Sequence, residues 1–258
     1  MKYILSVLVP GIRPTNWKRL YDSIGASCKY TWEVIFISPY ALPEELKGKE
    51  NVQWIEDWGT PIRCQQRGLI SARGDWIAWA ADDGQFLPGA LTLGFDIIKG
   101  KVKNTHSYLM GKYLEGTGDN GHMLGDNYYT LSRHKASFSP WLPPHYLMLN
   151  VGLVPKKLLA IVGGWDCQFE ACPMAYNDLA IRLQNLGCTV YIQNEVMFIC
   201  GHTPLKQGDH GPVHDGQTLH DEPLFKDIYS RQECIDRTRV DLGNWEKTPK
   251  RWERRFGA

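Results

Sequence analysis

The chain lacks the features that would mark a membrane protein, a disulfide scaffold or a phosphate-loop enzyme. Its longest apolar runs, such as Ile4 to Val9 interrupted by Ser6, fall far below the roughly 20 residues that cross a bilayer. It has no Asn-x-Ser/Thr sequon, and its seven cysteines form no Cys-x-x-Cys pair. A disulfide framework and a thiolate zinc site are therefore not expected to organise it. Met1-Lys2 leads directly into an apolar segment, so no leader is expected and a reducing cytoplasm fits best. No Gly-x-Gly-x-x-Gly follows the first apolar run and no Walker-type lysine loop occurs, which argues against a Rossmann dehydrogenase and a P-loop NTPase. His210 and His214 have a zinc-peptidase spacing, but Gly211-Pro212 lies between them and the glutamate is missing, so a polar loop is expected. Excess charge is absent too: 29 Lys and Arg face 28 Asp and Glu. That balance excludes a uniformly basic surface and leaves only local patches, such as Lys247 to Arg255 around Trp252, read as a solvated helix face.

What is present reads as an ordinary soluble chain: 258 residues, 43% hydrophobic and 22% charged, enough for one large domain or one domain with a tail. Tyr3 to Val9 is a buried-strand pattern stopped by Pro10-Gly11, and a helix follows, capped by Thr15 or Asn16, with Trp17, Leu20, Tyr21 and Ile24 inward. Strands are expected at Trp32 to Ile37, Val52 to Ile55 and Trp76 to Ala81, with a helix from Pro61 to Ala72. The strand-helix-strand alternation predicts right-handed crossovers and a mainly parallel sheet. Beyond a helix from Pro88 to Ile98 the pattern loosens between Lys101 and Ser139. It resumes with a strand at Leu147 to Val154, a short helix at Pro155 to Ile161, a turn at Gly163-Gly164, and a helix from Asn177 to Leu186. Two strands follow, Cys188 to Ile192 and Val196 to Ile199. Residues 203 to 258 are expected to be an extended C-terminal segment with one or two helices.

In an open α/β sheet, ligands gather at the carboxyl ends of the strands, where Pro10 to Arg13, Ser38, Glu56-Asp57 and Asp82-Asp83 are all expected. Two adjacent acids at the end of a buried strand need a compensating cation, and a divalent metal carrying a diphosphate is one solution. Three blocks in order extend this reading: Arg67 to Gly84 with Leu87-Pro88 after it, Gly163-Gly164-Trp165-Asp166, and Asn177-Asp178-Leu179. Together with Leu5 to Pro10 they resemble the family 2 glycosyltransferases of the GT-A fold, over about residues 3 to 202. The resemblance implies a single GT-A domain over 1–202, with a Rossmann-like sheet flanked by helices. A nucleotide-sugar half spans about 1–100 and an acceptor half about 140–202, and 203–258 is an extension. It implies that Asp83 ligates Mn²⁺ or Mg²⁺ with His202, while Asp82 lies near the donor ribose or the metal's water shell. Pro10, Gly11 and Arg13 form the loop under the nucleotide, and Arg63 reaches the donor or is an exposed helix arginine. Gly164, Trp165 and Asp166 receive the acceptor, and Asp178 is the base of an inverting transfer. Residues 116–139 or 202–220 are expected to close over the donor.

Departures from the family pattern are informative. Ser38-Pro39-Tyr40 stands where many relatives carry an acid that reads uracil, and Asp57 is the substitute. Ala81 and Asn177 replace frequent acids. No Gln-x-x-Arg-Trp element with membrane helices follows, which excludes a processive synthase. The donor implied is a nucleotide-sugar, a UDP-sugar first. The acceptor is a glycan by default, with a hydroxymethylated DNA base second because of the basic tail. The competing classes are a sugar-phosphate nucleotidyltransferase and a non-catalytic nucleotide- or carbohydrate-binding module.

Overall fold

A computed structural model describes residues 2–101, 106–115, 122–123, 146–200, 210–230 and 237–257. Its first half is built from three parallel pairings. β1 (Leu5–Pro10) lies between β2 (Trp32–Ser38) and β4 (Trp76–Trp79), and β3 (Val52–Glu56) joins beyond β2. Val7, Val9, Val34 and Phe36 point to one core, Leu8, Ile35 and Ile37 to the other. That two-sided burial is why these strands read as continuous apolar runs and not as alternating ones. α1 (Pro14–Ser27) and α3 (Ala90–Lys101) contribute to the first core, while α2 (Pro61–Ser71) covers the second. α1 starts at Pro14 behind Arg13, with no side-chain cap, in place of the expected Thr15 or Asn16 cap. Proline's fixed φ and missing N–H suit that first turn.

The second half mixes directions. β5 (Gly84–Phe86), β6 (Ser107–Glu115), β7 (His122–Met123), β8 (Val151–Pro155) and β9 (Thr189–Cys200) extend the sheet to the order β3-β2-β1-β4-β8-β6-β9-β5, with β7 on β6. β8 is antiparallel to both β4 and β6, whereas β6 and β9 are parallel. The sheet is thus parallel in its first half and mixed beyond β4. The two strands expected between Cys188 and Ile199 are one strand, with register shifts between Met110 and Tyr113 on its partner β6. β5, missed in the Asp-Asp-Gly turn, pairs with the end of β9.

α4 (Lys156–Val162) and α5 (Cys172–Asn185) pack beside α2 on the second core. α5 begins five residues earlier than expected. The two residues that lead into it are held from a distance: the Asp221 carboxylate accepts from Glu170 and Ala171 N–H at 2.9 and 2.7 Å, while the helix itself has no side-chain cap. Asp221 sits in a π-helical stretch (Gly216–Asp221) between α6 (Gly211–Asp215) and α7 (Glu222–Ser230), so the expected polar loop at His210–His214 is largely helical. Phe225, Ile228 and Tyr229 of α7 are buried in the second core.

From Arg237 onward the chain crosses the carboxyl edge of the parallel strands. Val240 N–H donates to Val162 O at 3.0 Å, and Trp252 N–H to Trp58 O at 2.7 Å. Of the expected basic helix face, Lys247 ends a 3-10 turn (Asn244–Lys247) and Glu253–Phe256 (α8) is α-helical. Trp252 is buried and Arg254 pairs with Glu170 at 2.9 Å, so that patch is in part an anchoring surface. Among the described residues no helix is long and apolar enough to cross a membrane, and six cysteines carry free thiols.

Candidate active site

Leu8 of β1 is level with Trp79 of β4, and Ala80 N–H donates to Leu8 O at 3.0 Å, so the two strands release their following residues side by side. The β1–α1 loop consequently wraps the acids after β4. Asp82 Oδ2 accepts the main-chain N–H of Ile12 at 2.7 Å and of Arg13 at 2.6 Å, with the Trp17 indole N–H at 3.5 Å. Asp82 Oδ1 accepts from the Arg13 guanidinium. Gly11 permits this closeness: a Cβ there would lie 2.9 Å from Trp17 Nε1 and 3.2 Å from Asp82 Oδ2. Pro10, Gly11, Arg13, Asp82 and Asp83 are thus brought together.

Asp83 has a different company. Cys200 Sγ, at the end of β9, is 2.9 Å from its Oδ1. Its Oδ2 lies 3.3 Å from His210 Nε2 and 3.6 Å from Arg13 Nη1, while its main-chain oxygen accepts from Arg19 at 2.9 Å. His210 Nε2 is also 3.2 Å from Arg13 Nη2. Arg19 and Cys200 carry no local signal that marks them. His210 is conspicuous in the sequence only through its spacing from His214, which points to a polar loop and not to the Asp83 neighbourhood where the fold places it.

Mn²⁺ and Mg²⁺ are hard ions that favour oxygen ligands in octahedral sets. The atoms beside Asp83 are a thiol, an imidazole and a guanidinium, and Asp82 Oδ2 is already committed to main-chain donors. Among the described residues no group of three or more His, Cys, Asp or Glu is arranged to hold a metal. As placed, the described residues do not fit such an ion. His202, the other expected ligand, lies outside the described residues, as do 116–121, 124–139 and 202–209 of the segments expected to close.

Asp57 and Arg63 are also buried, and they face each other. Arg63 Nε is 3.1 Å from both Asp57 oxygens, Arg67 Nη1 is 2.5 Å from Oδ2, and Gly59 N–H donates to Oδ1 at 2.7 Å. Arg63 continues to Trp245 O and to the Thr248 hydroxyl, and its guanidinium lies 5.1 Å from the Trp245 ring. Through Arg63, Asp57 joins α2 to the C-terminal segment at the strand edge. Arg63 is buried and not an exposed helix arginine.

The turn after α4 is made by two glycines with left-handed backbones, Gly163 at φ 82° and Gly164 at φ 72°. Gln66 of α2 fixes this turn by donating to Gly163 O at 2.9 Å and accepting from Trp165 N–H at 2.8 Å. Trp165 is fully buried, edge-on to Trp79 at 5.3 Å, so its ring is core and presents no face for stacking an acceptor. Asp166 accepts from Arg237 at 2.6 Å and borders a cavity of about 990 Å³ that Thr60, His220, Arg237, Arg251 and Trp252 also line.

Asp178 is the seventh residue of α5 and does not stand in its first turn; the expectation of a carboxylate at a helix N-terminus fails there. Its side chain is wholly enclosed: Arg182 Nε donates to Oδ2 at 2.8 Å, Tyr229 O–H to Oδ1 at 2.8 Å, and Arg237 lies 3.3 Å from Oδ1. Burial, then the Asp178 charge, pushes the Tyr229 phenol well above its usual range, so it stays a donor. Burial opposes the charge on Arg237, but Asp178 foremost and Asp166 after it hold its proton more tightly than usual. Arg237 thus bridges the two acceptor-side carboxylates.

No family model matches this chain, and no curated protein matches it. Solved structures do. Staphylococcus aureus TarS aligns with a TM-score of 0.53 at 15% identity over 78% of this chain and 37% of that one. TarS 1–349 in complex with UDP aligns at 0.54 and 14% identity over 88% and 69%. TarS 1–349 in complex with UDP-GlcNAc aligns at 0.51 and 15% identity over 80% and 60%. The chain spans little more than a third of the longer TarS structure. At these identities the likeness concerns the fold, which is α/β of the single-domain GT-A type.

Proposed function

We propose that the chain is a glycosyltransferase that moves a sugar from a nucleotide-sugar, a UDP-sugar first, onto a hydroxyl acceptor with inversion. The observation that carries this reading is the acidic pair beyond β4 locked to the β1–α1 loop, in a fold shared with a protein solved with UDP and with UDP-GlcNAc. The acceptor oxygen attacks the anomeric carbon from the face opposite the diphosphate. The carbon–diphosphate bond breaks, its electron pair leaves with the diphosphate, and the acceptor proton passes to a carboxylate.

In this proposal Asp178 takes that proton and Asp166, on the cavity wall, holds the acceptor hydroxyl. Asp178 has no exposed surface in the conformation described, so the transfer requires Tyr229 and Arg237 to part from it. Incubating the protein with UDP-GlcNAc or UDP-glucose alone, and following the anomeric signal by NMR, tests the class. Slow release of a β sugar from the α-linked donor is expected, water standing in for the acceptor. Intact donors with every nucleotide tried would contradict the proposal and leave the binding-module class.

A further inference from the structure

We infer that Arg13 is the built-in counter-ion of the Asp82–Asp83 pair, and that its guanidinium, in place of a divalent metal, receives the donor's diphosphate. The second half of this statement rests on the glycosyltransferase reading; the first does not. Three observations carry it. Arg13 is fixed at both ends, its main-chain N–H on Asp82 Oδ2 at 2.6 Å and its guanidinium on Asp82 Oδ1. The same guanidinium reaches toward Asp83, with Nη1 3.6 Å from Oδ2. Its side chain nevertheless keeps 20% of its surface exposed, against 4% and 9% for the two acids, so of the three groups the cation is the most exposed.

A bare pair of carboxylates repels a diphosphate, and something positive must stand between them. A divalent ion at the pair would have to displace a guanidinium that one acid already binds, and would then sit close to that same cation. The main-chain N–H groups of Arg13 and Ile12 are held by Asp82, which keeps the backbone that carries the guanidinium beside the acidic pair. A guanidinium offers a planar fork of donors that matches phosphate oxygens and cannot lose its proton at neutral pH. Between Asp82 and the ligand it is oriented before the donor arrives. As the bond from the anomeric carbon to the diphosphate breaks, the added negative charge falls on oxygens that Arg13 already faces. His210, 3.2 Å from Arg13 Nη2, limits the guanidinium on its other side.

The test uses the full chain, Mn²⁺ followed by electron paramagnetic resonance, and UDP binding by calorimetry. Wild type is expected to leave Mn²⁺ free, and to bind UDP with the same affinity, within about twofold, in EDTA or in Mn²⁺. Arg13→Gln should uncover a Mn²⁺ site that a second change, Asp83→Asn, removes, and should weaken UDP binding in EDTA by about tenfold or more, the loss of a charged hydrogen-bond pair. Arg13→Lys keeps the charge without the fork: it should still exclude Mn²⁺ while losing UDP affinity, and it serves if the glutamine variant does not fold. A wild-type Mn²⁺ site that Asp83→Asn abolishes, with UDP binding dependent on it, overturns the inference. Failure of UDP, GDP and CDP alike to bind in any condition sinks the transferase reading and the diphosphate role with it, while the Mn²⁺ titration still decides whether Arg13 excludes the metal.

Discussion

The Tyr229 hydroxyl donates to Asp178 Oδ1 at 2.8 Å, tying α7 of the C-terminal segment to the carboxylate assigned as base. Both groups are fully buried, and Arg182 completes the set from one turn along α5.

This contact separates chemistry from support. Tyr229→Phe removes one hydrogen bond to a buried carboxylate, expected to cost about 1.5–3 kcal/mol of stability. It should leave turnover unchanged or raised, because Asp178 must shed that contact to act. Asp178→Asn leaves Arg182 without its buried partner, a loss of about 3–5 kcal/mol. Thermal melts read the stability effects. Turnover measured below the lowered melting temperature should fall by about 100-fold or more at constant UDP affinity. Near-wild-type turnover in folded Asp178→Asn would confine Asp178 to holding α5, α7 and Arg237 together.

The Gly163–Gly164 turn should tolerate no side chain. A Cβ on Gly164 would lie 2.2 Å from Gln66 Oε1, at a backbone φ of 72°. Gly164→Ala is expected to lose at least about 1–3 kcal/mol from strain alone. Gln66→Ala, which frees the Trp165 N–H and the Gly163 and Leu242 carbonyls, should destabilise similarly and raise KM for the acceptor more than for the donor. Equal effects on both substrates would detach this turn from acceptor binding.

Glu33 offers a pH test remote from the site. Burial would raise its carboxyl, but hydrogen bonds from Ser6, the Arg73 main chain, Gln53 and the Arg73 side chain prevail and hold it below the usual range. A depressed acid contributes stability that is present above its unfolded pKa, about 4.3 for glutamate, and is lost as pH falls through its lower folded value. Glu33→Gln should therefore destabilise at pH 7 and differ progressively less from wild type below about pH 4. A difference that stays constant through that range would contradict the assigned cause.

The parallel half and the donor loop were legible in the sequence because local signals specify them: two-sided apolar strands, Pro10-Gly11 after the first, and acids after the fourth. The acceptor half was legible as a turn, Gly163-Gly164, but not as chemistry. Trp165 reads as an exposed stacking ring until Trp79 is placed against it. The start of α5 was misjudged because it carries no side-chain cap, and the residues leading into it are held by Asp221 from about 50 residues downstream, which no local rule finds. Asp57 reads as a base contact and Arg63 as a donor contact or an exposed helix arginine, and their buried partnership appears only once α2 places them side by side. His210 and Cys200 belong to the site through tertiary contacts alone.

The central claim is that a nucleotide-sugar donor binds where the β1–α1 loop meets Asp82 and Asp83. Calorimetry of UDP against wild type and Asp82→Ala tests it most directly, since removing that carboxylate releases the Ile12 and Arg13 N–H groups and loosens the loop without touching the acceptor half. The account predicts saturable UDP binding to wild type and a loss of about tenfold or more in affinity in a variant that remains folded by circular dichroism, on the scale of charge-assisted hydrogen bonds. UDP affinity that is the same in both folded proteins would contradict the placement of the donor.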